Sequence, residues 1–241
     1  MKLFRDFRND VLSTKKYSSF LASALVEIVL VVIGILIAVS LNNWNEERKE
    51  KIALSNILNI VREDLLNDIQ EIDTIIAYHR LEEPVFNKVL EDSITKEEYE
   101  QHSNYAFVIL GYPDLSIDTR GSNLLGSFNA NTGDLQDSLV TSIMEFYTKW
   151  LLEIELDEDI RAQDLTENYM AWKTKYPWWA DYITQKDISG FIEYALHDPD
   201  YKNRVATHKF LTYDVIIPNL MIFKENAKDI IKKIKIWQEE R

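Results

Sequence analysis

The chain has 241 residues, 46% of them hydrophobic and 12% aromatic, with six glycines, five prolines and no cysteine. Such a composition supports a sizeable core, disfavours a turn-rich all-β fold, and excludes disulfides, zinc–thiolate sites and thiol chemistry. The net charge of −13 is unevenly spread: residues 1–41 carry five basic and three acidic side chains, which leaves 22 and 37 for residues 42–241, a net of −15. A body that acidic repels a phosphate backbone, which argues against nucleic acid as a partner.

Residues 1–19 form a basic segment in which Leu3, Phe4, Phe7 and Val11 share one helical face with Lys2, Arg5 and Arg8 around it. That pattern suits a short helix lying on an anionic membrane surface, and equally a frayed basic tail. Residues 20–41 follow as an apolar run of 22, about 33 Å as a helix, against a bilayer core of about 30 Å. Fifteen of them are Leu, Ile, Val or Phe. At roughly −0.3 to −0.6 kcal/mol each they outweigh the cost of about +3 kcal/mol for Glu27, so a transmembrane helix is expected.

Five Lys/Arg precede this span, whereas Arg48, Lys49 and Lys51 follow it. The excess predicts a cytoplasmic amino terminus, an inner-membrane single-pass anchor, and residues 42–241 as a periplasmic domain. Tyr17 and Trp44 stand where interfacial aromatics belong. The competing reading is a cleaved signal peptide with Ala38-Val39-Ser40 as the small-residue site, giving an exported soluble helical domain; the overlong apolar run and the acid oppose it.

Glu27 shares a helix face with Val31, Gly34 and Ala38. Gly34-x-x-x-Ala38 lets a second helix approach closely, and an acid on that face points to protein rather than lipid around it. The expected partners are therefore the bilayer and, through this face, another protein or a second copy. A bolder reading makes Glu27 a proton carrier in a proton-coupled envelope complex; the plainer one has the acid reaching for the interface.

The stretch Leu30–Ala38, with Glu27 ahead of it and Asn42–Glu46 after it, resembles a family of uncharacterised bacterial membrane proteins. Their single helix has the form "GE-I-x-LVVIGILIA" and is followed by "NNWNE"; the family glycine before the acid is Val26 here. A looser likeness extends through "SNLLGSFNANTGDLQDSLVTSIMEFY" and a helical carboxy-terminal part. The resemblance implies the same single-pass topology and no activity.

Beyond the span, Leu54, Leu58, Val61, Leu65, Ile69, Ile72 and Ile76 recur every 3–4 residues, which predicts one long helix. Pro84 is expected to end it or to start the next. Thr95 and Glu98 form a capping box, and Gly111-Tyr112-Pro113 closes that short helix. Residues 111–133 read as loop with one short helix. Asp134 is expected to cap a long helix with Leu135, Leu139, Ile143, Phe146, Trp150 and Ile154 inward, ending at Tyr176-Pro177. Short helices come next from Asp187, another starts at Pro199, and Pro218 is expected to interrupt it. Leu220, Phe223, Ala227, Ile230, Ile234 and Trp237 then form a heptad seam of coiled-coil type, ringed by lysines. Stripes on long helices must bury against one another, so the expected fold is all-α: a transmembrane helix continuing into an antiparallel bundle over 42–241.

The cluster "YMAWKTKYPWWADY" gathers Trp172, Tyr176, Trp178, Trp179 and Tyr182. It could serve as a ligand or partner patch, but aromatics so placed more often plug the end of a bundle. His79, His102, His197 and His208 share no helical spacing, and "EIELDEDI" reads as a solvated acidic face, so no metal is expected. Gly121 and Gly126-Ser127 have the glycine spacing of a phosphate loop without its lysine or its strand. Neither catalytic residues nor a cofactor are expected, and binding or assembly is favoured over an enzyme.

Overall fold

The computed structural model describes residues 15–132 and 138–240, and among them there is helix and no strand. The amphipathic residues Leu3–Val11, the Asp134 cap and Leu135 lie outside the described residues. The chain divides into two compact units, residues 1–55 and 56–241.

Helix α1, Lys15–Val89, is continuous. From Leu25 to Leu41 its large apolar side chains are 47–63% exposed. The segment has a mean hydropathy of 3.0 and none of it is buried, so by length and composition it could cross a membrane. Pro84 does not end this helix. Its missing N–H and its ring cost about 3 kcal/mol in a helix interior. Pro84 itself is exposed, so water can reach the backbone there, and Phe86 and Val89 beyond it are fully buried. Their burial carries the helix one more turn.

In the second unit the return path begins at Val89. Helix α2, Lys96–Gln101, opens with the Thr95–Glu98 capping box and is followed by a 3-10 turn, Ser103–Ala106. Gly111–Thr119 is irregular chain that runs back along α1, and α3, Arg120–Thr132, completes this limb. Helix α4, Ser138–Lys175, reverses direction again and buries Leu139, Ile143, Phe146, Trp150 and Ile154, the predicted face. Short helices α5, Trp179–Ile183, and α6, Ser189–His197, make the turn at its far end. Helix α7, Pro199–Phe210, then leads through a π-helical segment, Leu211–Ile216, into α8, Ile217–Glu239.

The last limb lies antiparallel to both long helices. Against α1, Lys209 meets Asn87, Tyr213 meets the His79 carbonyl, Lys224 meets Asp73 and Gln238 meets Asn59. Against α4, Arg204 meets Asn168, His208 meets Asp164 and Asn219 meets Asp157. The long helices α1 and α4 are thus parallel, with the Gly111–Thr132 limb as the return between them.

The interruption expected at Pro218 arises just before it. The Ile217 N–H bonds the Thr212 carbonyl, five residues back, and Pro218 occupies the first turn of α8, where no intrahelical donor is needed. Leu220, Phe223, Ala227, Ile230 and Ile234 are buried, and Trp237 is half-buried.

Candidate functional site

In the first unit the face of Glu27, Val31, Gly34 and Ala38 is exposed along its whole length. A Cβ added at Gly34 would meet no atom within 4 Å. Among the described residues, none covers this face.

In the second unit the five aromatic residues come together. Trp172 and Tyr182 are fully buried, whereas Tyr176, Trp178 and Trp179 are half-buried. Trp172 is the hub, with Trp178, Trp179, Tyr182, Phe191, Tyr194 and Tyr201 all at ring-centroid distances of 5.9–6.2 Å. Its indole N–H donates to the Tyr194 hydroxyl at 2.9 Å, and Tyr194 donates to Asp200 at 2.7 Å. The Tyr182 hydroxyl donates to the Ala106 carbonyl, and Tyr201 to the Tyr105 carbonyl at 3.0 Å. Burial pushes the Tyr182, Tyr194 and Tyr201 hydroxyls above the ordinary tyrosine range, so they stay protonated and act as donors. Gly190 allows α6 to close on Trp178: a Cβ there would lie 2.6 Å from the Trp178 Cβ. Joined by Phe86 and Val89 from α1, these rings form a core with few polar atoms left over for a ligand.

Below this core runs a line of buried polar side chains that periodicity does not announce. Arg204 binds Asp200 through Nε at 2.8 Å and the Asn168 Oδ1 at 2.9 Å. Asn168 Nδ2 reaches Asp164, which also holds His208 Nδ1 at 2.8 Å. Arg161, 1% exposed, donates to Glu158 and to the Pro113 carbonyl, with the Tyr112 ring 4.1 Å from its guanidinium. His79, also 1% exposed, is held neutral: burial, then the charges of Arg161 and His208, lower it to about 4. The "EIELDEDI" run is therefore not one solvated face. Asp157 is buried, Glu158 is half-buried, and Glu153, Glu155 and Asp159 are exposed.

A second polar group lies between α1 and the return limb. Asp64 and Asp68, each 1% exposed, stand one turn apart on α1. Asp64 accepts from the Gly121 N–H at 2.6 Å and from Arg120 Nη2 at 3.1 Å. It thereby satisfies a free backbone donor in the first turn of α3, where a helix dipole favours a negative charge. Asp68 accepts from the Asp118 N–H at 2.9 Å. The glycine spacing that mimics a phosphate loop has a packing cause: a Cβ at Gly121 would lie 2.6 Å from the Val61 backbone nitrogen, and Gly126 faces the tip of Met144. The signal that could have exposed Asp68 was its position. It is three residues from Leu65 and four from Ile72, directly on the apolar stripe, and Ile69 is only half-buried.

Residues 27–111 match the model of a family of unknown function, DUF6090. The match begins at Glu27 and takes in Asp64 and Asp68, and it agrees with the resemblance to an uncharacterised family. Trp172–Tyr182 lie beyond it. No curated protein and no solved structure matches the chain.

Proposed function

We propose that this chain is a single-pass inner-membrane protein that carries an acidic antiparallel helical bundle into the periplasm and serves there as a binding or assembly module. Residues 20–41 cross the bilayer, residues 1–19 are cytoplasmic, and residues 42–241 form the periplasmic domain. The observation that carries this reading is the contrast within α1: its apolar side chains are exposed from Leu25 to Leu41, yet Leu58, Val61, Leu65 and Ile72 are fully buried. Exposed apolar surface of that extent is stable only in lipid or against another protein. A carboxy-terminal fusion to a reporter active only outside the cytoplasm is expected to be active, and the chain is expected to stay in membranes through alkaline carbonate extraction. A cytosolic carboxy terminus, or release without detergent, overturns the reading.

Assembly proceeds through the face of Glu27, Val31, Gly34 and Ala38, which meets another membrane helix. Gly34→Leu fills the close approach and is expected to reduce crosslinking between helices in intact membranes by about tenfold, equivalent to about 1.4 kcal/mol. Glu27→Gln keeps size and hydrogen bonding and is expected to preserve most of it. Unchanged crosslinking in Gly34→Leu places the contact on another face.

A further inference from the structure

The limb Gly111–Thr119 has no helix or strand of its own, so side chains on its neighbours hold it in place. Arg161 of α4 donates to the Pro113 carbonyl near its start. Its end is tied to α1: the Asp118 N–H donates to Asp68 Oδ1 at 2.9 Å, and Asn67 reaches the Asp118 carboxylate at 3.5 Å. One turn away Asp64 grips the Gly121 N–H and Arg120. Two carboxyl groups on adjacent turns, each 1% exposed, are a costly way to anchor a limb unless one of them is neutral.

The two differ in their partners. Asp64 accepts from the Arg120 guanidinium and from the Gly121 N–H in the first turn of α3. Asp68 has a backbone donor on Oδ1, and among the described residues its buried Oδ2 meets no partner. The groups facing it are mostly acidic. Asp64 and Glu71 come from α1 and Asp118 from the limb, Arg120 is engaged by Asp64, and from α4 comes the buried Tyr147 hydroxyl, which also lacks a partner.

We propose that Asp68 is a proton-operated latch: protonated, it holds the Gly111–Thr119 limb on α1, and ionised, it loosens that limb. The neutral carboxyl keeps Oδ1 as acceptor for the Asp118 amide and places the proton on the buried Oδ2. Once the proton leaves, a second buried charge stands beside Asp64 and Asp118, and letting the limb swing out to admit water relieves it. Burial, followed by the charges of Asp118, Asp64 and Glu71, raises the Asp68 carboxyl to about 7 against the stabilising Asp118 N–H. The switch therefore operates near neutrality. An unfolded aspartate is already ionised at that pH, so the folded chain binds the extra proton between about pH 4 and 7. Stability must fall as pH rises through that window and level off above it. The device stands independently of the membrane reading.

The test is amide hydrogen exchange on the full chain in detergent, normalised to the intrinsic rate at each pH, from pH 5 to 9. The amides of Asp118 and Gly121 are expected to lose protection at least tenfold between pH 6 and 8, while those of Phe223 and Ile230 on α8 do not. Asp68→Asn removes the titration but keeps the acceptor, so its protection is expected to stay flat and its melting temperature to gain on the parent's as pH rises from about 4 to 7, with no further gain above that. Asp118→Asn, which removes a like charge and keeps the amide donor, is expected to shift the pH midpoint of loosening downward and to reduce its extent, because the ionised Asp68 then has one repelling neighbour fewer in the closed limb, and a parent-like midpoint is the contrary result. This second variant carries the test should Asp68→Asn fail to fold. Protection that is independent of pH in the parent, or a parent-like pH profile in the folded variants, overturns the proposal.

Discussion

Gly121→Ala is expected to lower the melting temperature by about 6–12 °C, corresponding to about 3 kcal/mol for a folded unit of this size. The added methyl would sit 2.6–2.7 Å from the Val61 backbone N and Cα, atoms held in the middle of α1 that cannot rotate away. Relief requires α3 to back off from α1, and that movement stretches the 2.6 Å bond from the Gly121 N–H to the buried Asp64. A buried carboxylate losing a donor adds its own desolvation cost. Gly126→Ala on the same helix is the control. Its new Cβ would touch only the Met144 Cε, at 3.4 Å, and Met is flexible, so the gain in helix propensity should leave stability within about 1 kcal/mol of the parent. Thermal unfolding of the two variants side by side decides the matter. Equal effects would mean that the α3–α1 approach is not the constraint described.

Trp172→Ala is the second large effect, expected at about 3–5 kcal/mol. The indole is fully buried, ringed by six aromatic side chains, and donates to Tyr194. Removing it opens a cavity and leaves the line from Tyr194 through Asp200 to Arg204 without its first member. Trp172→Phe retains most of the packing and should cost about half as much or less. Trp179→Ala, at a half-buried position, should also be milder. Denaturant unfolding followed by tryptophan fluorescence measures all three. Were this cluster a ligand platform instead of a core, Trp172→Ala would leave stability nearly unchanged.

Both residues were visible in the sequence, but with only part of their meaning. Trp172 belonged to an obvious aromatic cluster, and bundle-end packing was the natural reading. What composition could not say was which rings are inside. The structure buries Trp172 and Tyr182 and leaves Trp178 and Trp179 half-covered, because α5 and α6 fold over one side of α4's end. Gly121 looked like a piece of a phosphate loop, when its role is to let two helices touch.

The α4 stripe marks where periodicity stops informing. From Leu139 to Ile154 the residues of the apolar stripe, Leu139, Ile143, Phe146, Trp150 and Ile154, are inside. Further along, Leu156 and Ile160 are 49% and 44% exposed while Asp157, Arg161 and Asn168 are buried. The helix has not rotated: steps of 3, 4 and 7 residues carry the same face from Ile154 through Asp157 and Arg161 to Asn168. The face changes chemistry because the opposite limb supplies partners, Asn219 for Asp157 and Arg204 for Asn168. Pro84 fails as a stop signal for a related reason, since the burial of Phe86 and Val89 outweighs a local backbone penalty.

By itself the sequence determined the helical class, the apolar run of residues 20–41, the acidic character of residues 42–241, and the helices whose stripes are purely apolar. These depend on the 3.6-residue period and on composition, which act between near neighbours. Only the tertiary structure decided that an irregular limb supplies one of the return paths, and that Asp64, Asp68, His79, Arg161 and Asn168 lie inside. Burial of a polar side chain is favoured where a donor or acceptor meets it. For Asp68 that donor is an amide 50 residues away in the chain, beyond the reach of any local pattern.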